Sequence, residues 1–339
     1  MQIESVLKDL VFAAGASGAE NEIAALGERL LSPYGETKLD AMGNVCCHMA
    51  GNGKFHVQLD AHMDEIGLCV LEICDGFLKT APCGGIDRRV MDGMEVLVHG
   101  KETLYGVVTS IPPHLQKGES DKAPKAEEIL IDMGLSAQKL KTLVSLGDRV
   151  TLKPSFRPML NHCVTAPALD DRAGLAVLLV AAQALSKETE RPDVTLVFST
   201  REETTESGAK TAAYNAAADY VIAVDVSFAK TPDAKASECG VLGKGPMIGF
   251  APSLTHACSK RIQALAEKQG IPYQIEVMGG ATGTNCDVMA AERGGRASAL
   301  LSVPLRYMHT GIEMVSLDDI ENTGLLLKEA VLAEVEQHA

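Results

Sequence analysis

The chain has 339 residues, 46% of them hydrophobic and 22% charged, so it can bury a sizeable core and two domains are the default expectation. Its 31 basic against 45 acidic side chains leave a net charge of −14, which argues against a nucleic-acid surface. No stretch approaches a membrane span, Trp is absent, and the nine cysteines form no CxxC pair, so aliphatic packing, reduced thiols and a cytoplasmic location are expected.

The opening run MQIESVLKDLVFAAG sets Ile3, Val6, Leu7, Leu10 and Val11 at helical period and lacks a basic leader, which predicts an amphipathic helix rather than a signal. Ser17-Gly18-Ala19-Glu20 fits a capping box that opens a second helix through Ile23, Leu26, Leu30 and Leu31. Asn44-Val45 onward and Lys54 to Leu59 flank Gly51-Asn52-Gly53 and read as a hairpin whose second strand runs into His62.

From Leu68 to about Pro158 short apolar runs alternate with Gly, Pro and charged turns, and only AEEILIDMG and SAQKLKTL look helical. This segment is expected as a small β-rich domain (PDZ-like or barrel) inserted at 68–158 between two parts of a main domain, 1–67 and 159–339. Beyond Asn161 the rhythm is strand, helix, strand: helices at Ala173–Leu185, Ser207–Ala218, His256–Gln269 and Leu317–Glu336, with DVTLVFST, YVIAVD, YQIEVM and RASALLSV as strands. Such alternation predicts an α/β fold with a mixed, largely parallel sheet flanked by helices.

Ligands of open α/β sheets gather beyond the carboxyl ends of strands. His62, the Glu202-Glu203 pair and Asp225 each follow an apolar β run, His309 follows ALLSVPLRY, and Asp170 lies in ALDDRAG. Each has a plainer reading alone: a core histidine, a solvated strand end, or a helix cap with a local ion pair. Together, two imidazoles and three carboxylates suffice for two divalent metals, with one carboxylate over. Asp170 is the natural bridge, His62 and Asp225 complete one shell, and Glu203 and His309 the other. Glu202 is then placed to take a proton from water and pass it to a leaving amine, and Asp64 to fix the tautomer of His62. His48, His56, His99, His162, His256 and His338 read as structural or exposed, while His114 behind Pro112-Pro113 could border a neighbouring subunit's site. Gly279 to Thr284 lacks a phosphate-loop lysine and reads as a backbone-rich wall for substrate, and no HExxH helix or GxSxG elbow is present.

With these residues assembled, the chain resembles the tetrahedral, glutamyl and deblocking aminopeptidases, metallopeptidase family forty-two. The likeness runs end to end: SGAE at Ser17, DAMGNV at Asp40, AHMDEIG at Ala61, GGID at Gly84, PPH at Pro112, ALDDRAG at Ala168, TGTNCD at Thr282 and RYMHTGIE at Arg306. The resemblance implies the ligand set above, the co-catalytic zinc-peptidase-like fold, and peptide substrates trimmed from a free N-terminus. It also implies Zn or Co as the two ions, with Mn equally suited to the donor set. The inserted domain would pair subunits into dimers, which can assemble into a tetrahedral dodecamer. Related peptidases and deacylases insert their extra domain later in the chain, whereas here His62 and Asp170 stand 108 positions apart around it.

Two departures bear on specificity. Thr204-Thr205-Glu206 replaces a usual Val-Gly step, and Asn285 stands where Asp is frequent, which would weaken attraction for a substrate ammonium. The competing functions are an endoglucanase-type glycoside hydrolase, disfavoured by a Trp-free chain with 4% aromatics, and a non-catalytic metal-stabilised scaffold, disfavoured by the extra Glu202.

Overall fold

A computed structural model describes residues 2–112, 114 and 128–337. The chain begins with helices α1 (Ile3–Phe12) and α2 (Asn21–Leu31), followed by strands β1 (Glu36–Leu39), β2 (Val45–Met49) and β3 (His56–His62). Next come β4 (Gly67–Cys74), β5 (Phe77–Cys83), β6 (Glu95–His99), β7 (Thr103–Val108), β8 (Leu130–Asp132), α3 (Ala137–Leu143) and β9 (Arg149–Leu152). These six strands close into a barrel in the order β4-β5-β8-β7-β6-β9. Alternating residues such as Leu68 and Val70, Val96 and Val98, and Val150 and Leu152 point inward and fill it.

The chain then returns to the large sheet. Short strands β10 (Arg157–Pro158) and β11 (Cys163–Ala166) precede α4 (Leu169–Leu185), β12 (Asp193–Ser199), α5 (Glu202–Thr205), α6 (Ser207–Ala216) and β13 (Tyr220–Phe228). After these follow β14 (Met247–Phe250), α7 (His256–Gln269), β15 (Gln274–Val277), α8 (Asn285–Ala291), β16 (Ala297–Leu305), β17 (Glu313–Ser316) and α9 (Leu317–Gln337).

Eight strands order as β1-β2-β12-β3-β13-β16-β14-β15, so the sheet is mixed, with β12, β3, β13 and β16 parallel at its centre. These central strands are buried on both faces, mostly by apolar side chains, although β3 turns Gln58, Asp60 and His62 to one face. Helix α4 is buried nearly all round, between the sheet and α9. Gly324 of α9 lets the two helices touch: a Cβ there would stand 2.6 Å from Val180.

Several local expectations are corrected. Strands β2 and β3 are not a hairpin, because β12 lies between them, antiparallel to β2 and parallel to β3. The glycines at 51 and 53 mark a turn, but the edge that β2 offers is taken by a strand from much later in the chain. Part of the expected helix AEEILIDMG is strand β8, pairing with β5 and β7 to close the barrel; Ala126 and Glu127 lie outside the described residues. Ser17 does not cap α2, whose N-cap is Glu20; the Ser17 hydroxyl meets Thr204 Oγ1 at 2.9 Å instead. Strands β1, β11, β14 and β17 were not anticipated. Among the described residues no helix is long and apolar enough to cross a membrane.

Candidate metal centre

Three neighbouring strands deliver four of the acidic and imidazole groups to one rim. His62 ends β3 and is the register partner of Ser199, the last residue of β12, so Glu202 and Glu203 follow just past that end. Asp225 lies on β13, two residues beyond Ala223, the partner of Asp60. Asp170 enters from the first turn of α4, and His309 from the loop between β16 and β17.

Asp170 lies between the two rings. Its Oδ1 is 3.0 Å from Nε2 of His62, and its Oδ2 is 3.3 Å from Nε2 of His309. Around His62 Nε2, Asp225 Oδ1 and Glu202 Oε2 both stand at 3.9 Å, while Glu203 Oε1 is 3.4 Å from His309 Nε2. Two ligand triplets sharing Asp170 result, His62–Asp170–Asp225 and Asp170–Glu203–His309, each with donor atoms within 4.8 Å of one another. Glu202 and Glu203 also form such a group with His62.

The outer nitrogens of both rings are already engaged by main-chain carbonyls. His62 Nδ1 lies 3.1 Å from the carbonyl oxygen of Asp64, and His309 Nδ1 lies 2.8 Å from that of Gly85. A carbonyl can only accept, so each Nδ1 carries a proton and each Nε2 faces carboxylates, where it must carry a second proton or ligate a cation. A cation in place of that second proton fits a divalent ion and its oxygen–nitrogen donor set.

The electrostatics agree. Burial works against charge on His62 and His309, yet Asp170 and its neighbours hold His62 well above the usual imidazole range and push His309 up to about 11. Burial, and then the Glu203 and Asp170 carboxylates against the pull of His62, push Glu202 up to about 8. Burial likewise raises Asp225 well above its ordinary value. The cluster is short of positive charge.

Supporting contacts hold the geometry. The Asp64 carboxylate accepts the backbone N–H groups of Glu202 at 2.9 Å and Glu203 at 3.2 Å, and its Oδ1 lies 3.5 Å from His62 Nδ1. It thus orients the glutamate pair directly, while the ring's closer partner is the Asp64 main chain. Glu313 was missed from sequence: fully buried, it accepts the N–H of Asp170 at 3.1 Å and of His309 at 2.7 Å, tying together two ligand loops. Its place four residues after His309, ending RYMHTGIE, was the available signal. Gly85 was missed as well, because it acts through its carbonyl. Arg172 pairs with Glu65 at 3.3 Å rather than with its neighbour Asp171, which accepts the N–H of Gly174 in the first turn of α4.

Asn285 does not face a substrate ammonium. It is buried, and its Nδ2 donates to Asp60 Oδ1 at 2.8 Å and Ser199 Oγ at 2.9 Å. An aspartate there would set two carboxylates against each other beneath His62. Thr205 lies inside the helical turn α5, and the left-handed residues are Arg201 and Glu206 on either side, so no glycine is required at Thr205. The N–H groups of Thr282 and Gly283 are taken by Asp287 Oδ2, so this wall does not offer them to substrate. His48 and His56 bond Thr195, His99 bonds Thr151, His162 pairs with Asp318, and His256 packs edge-on against Phe250. His114 is exposed; His338 lies outside the described residues.

Comparison with known proteins bears on this arrangement. The family model for M42 glutamyl aminopeptidase matches residues 43–326. The lysyl aminopeptidase of Pyrococcus furiosus is 33% identical over 97% of this chain and 96% of its own. Among solved structures, an aminopeptidase from the archaeon Desulfurococcus kamchatkensis superposes with a TM-score of 0.92 at 31% identity, covering 98% of this chain and 95% of that one. The TET1 peptidase of Pyrococcus horikoshii, which can assemble into a tetrahedron or a large octahedral shell, superposes with a TM-score of 0.86 at 31% identity, covering 98% and 99%.

Proposed function

Because the chain belongs to the M42 glutamyl aminopeptidase family and is a metal-dependent aminopeptidase, we propose that its centre holds two divalent ions acting together. His62 and Asp225 would hold one and Glu203 and His309 the other, with Asp170 shared between them. Zinc or cobalt is the expected ion, and manganese suits the same donor set. Bound there, the ions would lower the pKa of the attacking water and polarise the scissile carbonyl. Glu202 takes the proton from that water at Oε2 and delivers it to the nitrogen of the departing peptide. Asp64 keeps Glu202 in place through the main chain, and the Asp64 and Gly85 carbonyls keep both rings in the ligating tautomer. The substrate is a peptide with a free N-terminus.

The observation that carries this reading is Asp170, whose two oxygens each face a different imidazole Nε2. A glycosidase needs two carboxylates flanking a bond, with no imidazoles between them. The test compares two variants by metal analysis and hydrolysis of aminoacyl-p-nitroanilides with Zn or Co. Glu202→Gln keeps two metals per chain and loses about 10²–10⁴ in kcat; Asp170→Asn loses metal and turnover together. Full activity in Glu202→Gln would remove the base assignment, and undiminished metal in Asp170→Asn the bridge.

The barrel, as part of an inserted domain spanning 68–158, carries self-association into dimers, which can build a tetrahedral dodecamer; the tetrahedron of the Pyrococcus horikoshii TET1 peptidase supports self-association. The nine cysteines are all unbridged, which supports residence in a reducing cytoplasm.

A further inference from the structure

The sheet face that bears Asp225 also bears an acidic side chain outside the metal cluster. Asp225 and Ser302 are register partners on the adjacent parallel strands β13 and β16, so their side chains stand on one face about 5 Å apart. Ser227, two residues further along β13, shares that face. Both serine hydroxyls donate to Glu276 of β15: Ser302 Oγ to Oε2 at 2.9 Å, and Ser227 Oγ to Oε1. Glu276 pairs in register with Gly249 of β14, which has no side chain of its own, and the carboxylate crosses that strand to reach the two serines. Its carboxylate is half-buried, and among the described residues no lysine, arginine or histidine pairs with it. The four carboxylates of the metal centre are balanced by two divalent ions, on the reading above; Glu276 is outside that balance.

We propose that Glu276 walls the pocket for the first side chain of the substrate and selects a basic residue, lysine or arginine, at the N-terminus. The inference rests on the two-metal aminopeptidase reading. With the scissile carbonyl at the metals, the carboxylate beside Ser302 and Ser227 is within reach of the four-carbon stem of a lysine. An ammonium or guanidinium there gains a charge-assisted hydrogen bond in a partly desolvated pocket. A leucine leaves Glu276 with hydroxyl partners only, and a glutamate brings two carboxylates together, which is strongly disfavoured. The two serines each donate to one oxygen of the carboxylate, so Glu276 is held on the Asp225 face and acts as a recognition group without entering the metal shell.

The test uses the metal-loaded full-length enzyme and p-nitroanilides of lysine, arginine, norleucine, leucine and glutamate. Norleucine has the lysine stem without the ammonium, so that pair needs no variant. Lysine and arginine should exceed norleucine in kcat/KM by about tenfold or more, with glutamate lowest. Glu276→Gln should bring the lysine-to-norleucine ratio toward one, chiefly through KM for lysine, and Glu276→Lys should favour glutamate over lysine. Equal rates for lysine and norleucine in the unaltered enzyme, or a ratio unmoved by Glu276→Gln, would overturn the assignment. Absence of turnover on every substrate with Zn, Co and Mn would sink the parent reading instead; turnover in the wrong order sinks this inference alone.

Discussion

In the barrel, inward residues alternate along every strand, and Leu78, Val98, Ile131 and Val150 are sealed among their own kind. At the rim of the large sheet, His62, Asp170, Glu202, Glu203, Asp225 and His309 crowd like charges together, and Ala168, Arg201, Tyr307 and His309 all take left-handed backbone. Such backbone at residues other than glycine costs roughly 1–3 kcal/mol each and persists only where surrounding structure insists on it. The barrel therefore contributes stability, whereas the rim holds a geometry that the rest of the fold must support. The sharpest test of that division is Leu78→Ala. Leu78 is fully buried, so the cavity should cost about 2–5 kcal/mol of unfolding free energy. Metal content and kcat of the folded fraction should not change. Denaturant titration beside metal analysis reads both, and loss of metal from a folded variant would merge the two regions into one.

The two regions meet at several contacts, among them Asp87 N–H to the His309 carbonyl and Arg149 to the Ser17 carbonyl, and Gly85→Ala tests the one that touches a ligand ring. Gly85, just past β5, receives His309 Nδ1 on its carbonyl, and a Cβ there would lie 2.8 Å from that nitrogen. Its backbone is not left-handed, so alanine brings a collision with the ring rather than backbone strain. The ring must shift, and the ion held by Glu203 and His309 should bind about 10–100-fold more weakly, as outer contacts of ligating histidines do when disturbed. The ion at His62 and Asp225 should be little affected. Two-site metal titration distinguishes them; unchanged affinity at both sites would detach the barrel from the centre.

The rim was the more legible region because His62, the glutamate pair, Asp225 and His309 follow apolar runs, a pattern that survives without knowing strand neighbours, and Asp170 lies in a distinctive ALDDRAG segment. Partners that act through the main chain, such as Gly85, leave no side-chain signal, and Glu313 acts on two ligand loops through their backbone N–H groups rather than as a ligand itself. Strand pairing was less legible. Gly51-Asn52-Gly53 is a local turn signal, but β12, about 140 residues later, is the strand that lies against both β2 and β3. Likewise Leu130–Asp132 carries helix-favouring neighbours and becomes a strand because the barrel needs one between β5 and β7. Asn285 was placed near the substrate from its motif alone, and only the tertiary fold shows that it faces Asp60.

The charge imbalance at the rim also sets how metal binding responds to pH. Without metal, both rings stay protonated near neutrality: His309 is raised from 6.5 to about 11, and His62 is raised well above 6.5. A raised imidazole value means that the ring–carboxylate contacts stabilise the metal-free fold fully below about pH 6.5, and that for His309 this is lost as pH rises through about 11. Ligation needs Nε2 without its proton, so each ion entering at pH 7 expels about one. Affinity at each position should therefore rise about tenfold per pH unit between pH 6 and 8, and fall on acidification. Calorimetric titration in two buffers of different ionisation enthalpy counts the protons released. If none is released, the rings do not ligate through Nε2, and the contrast between a neutral barrel and a cation-starved rim loses its basis.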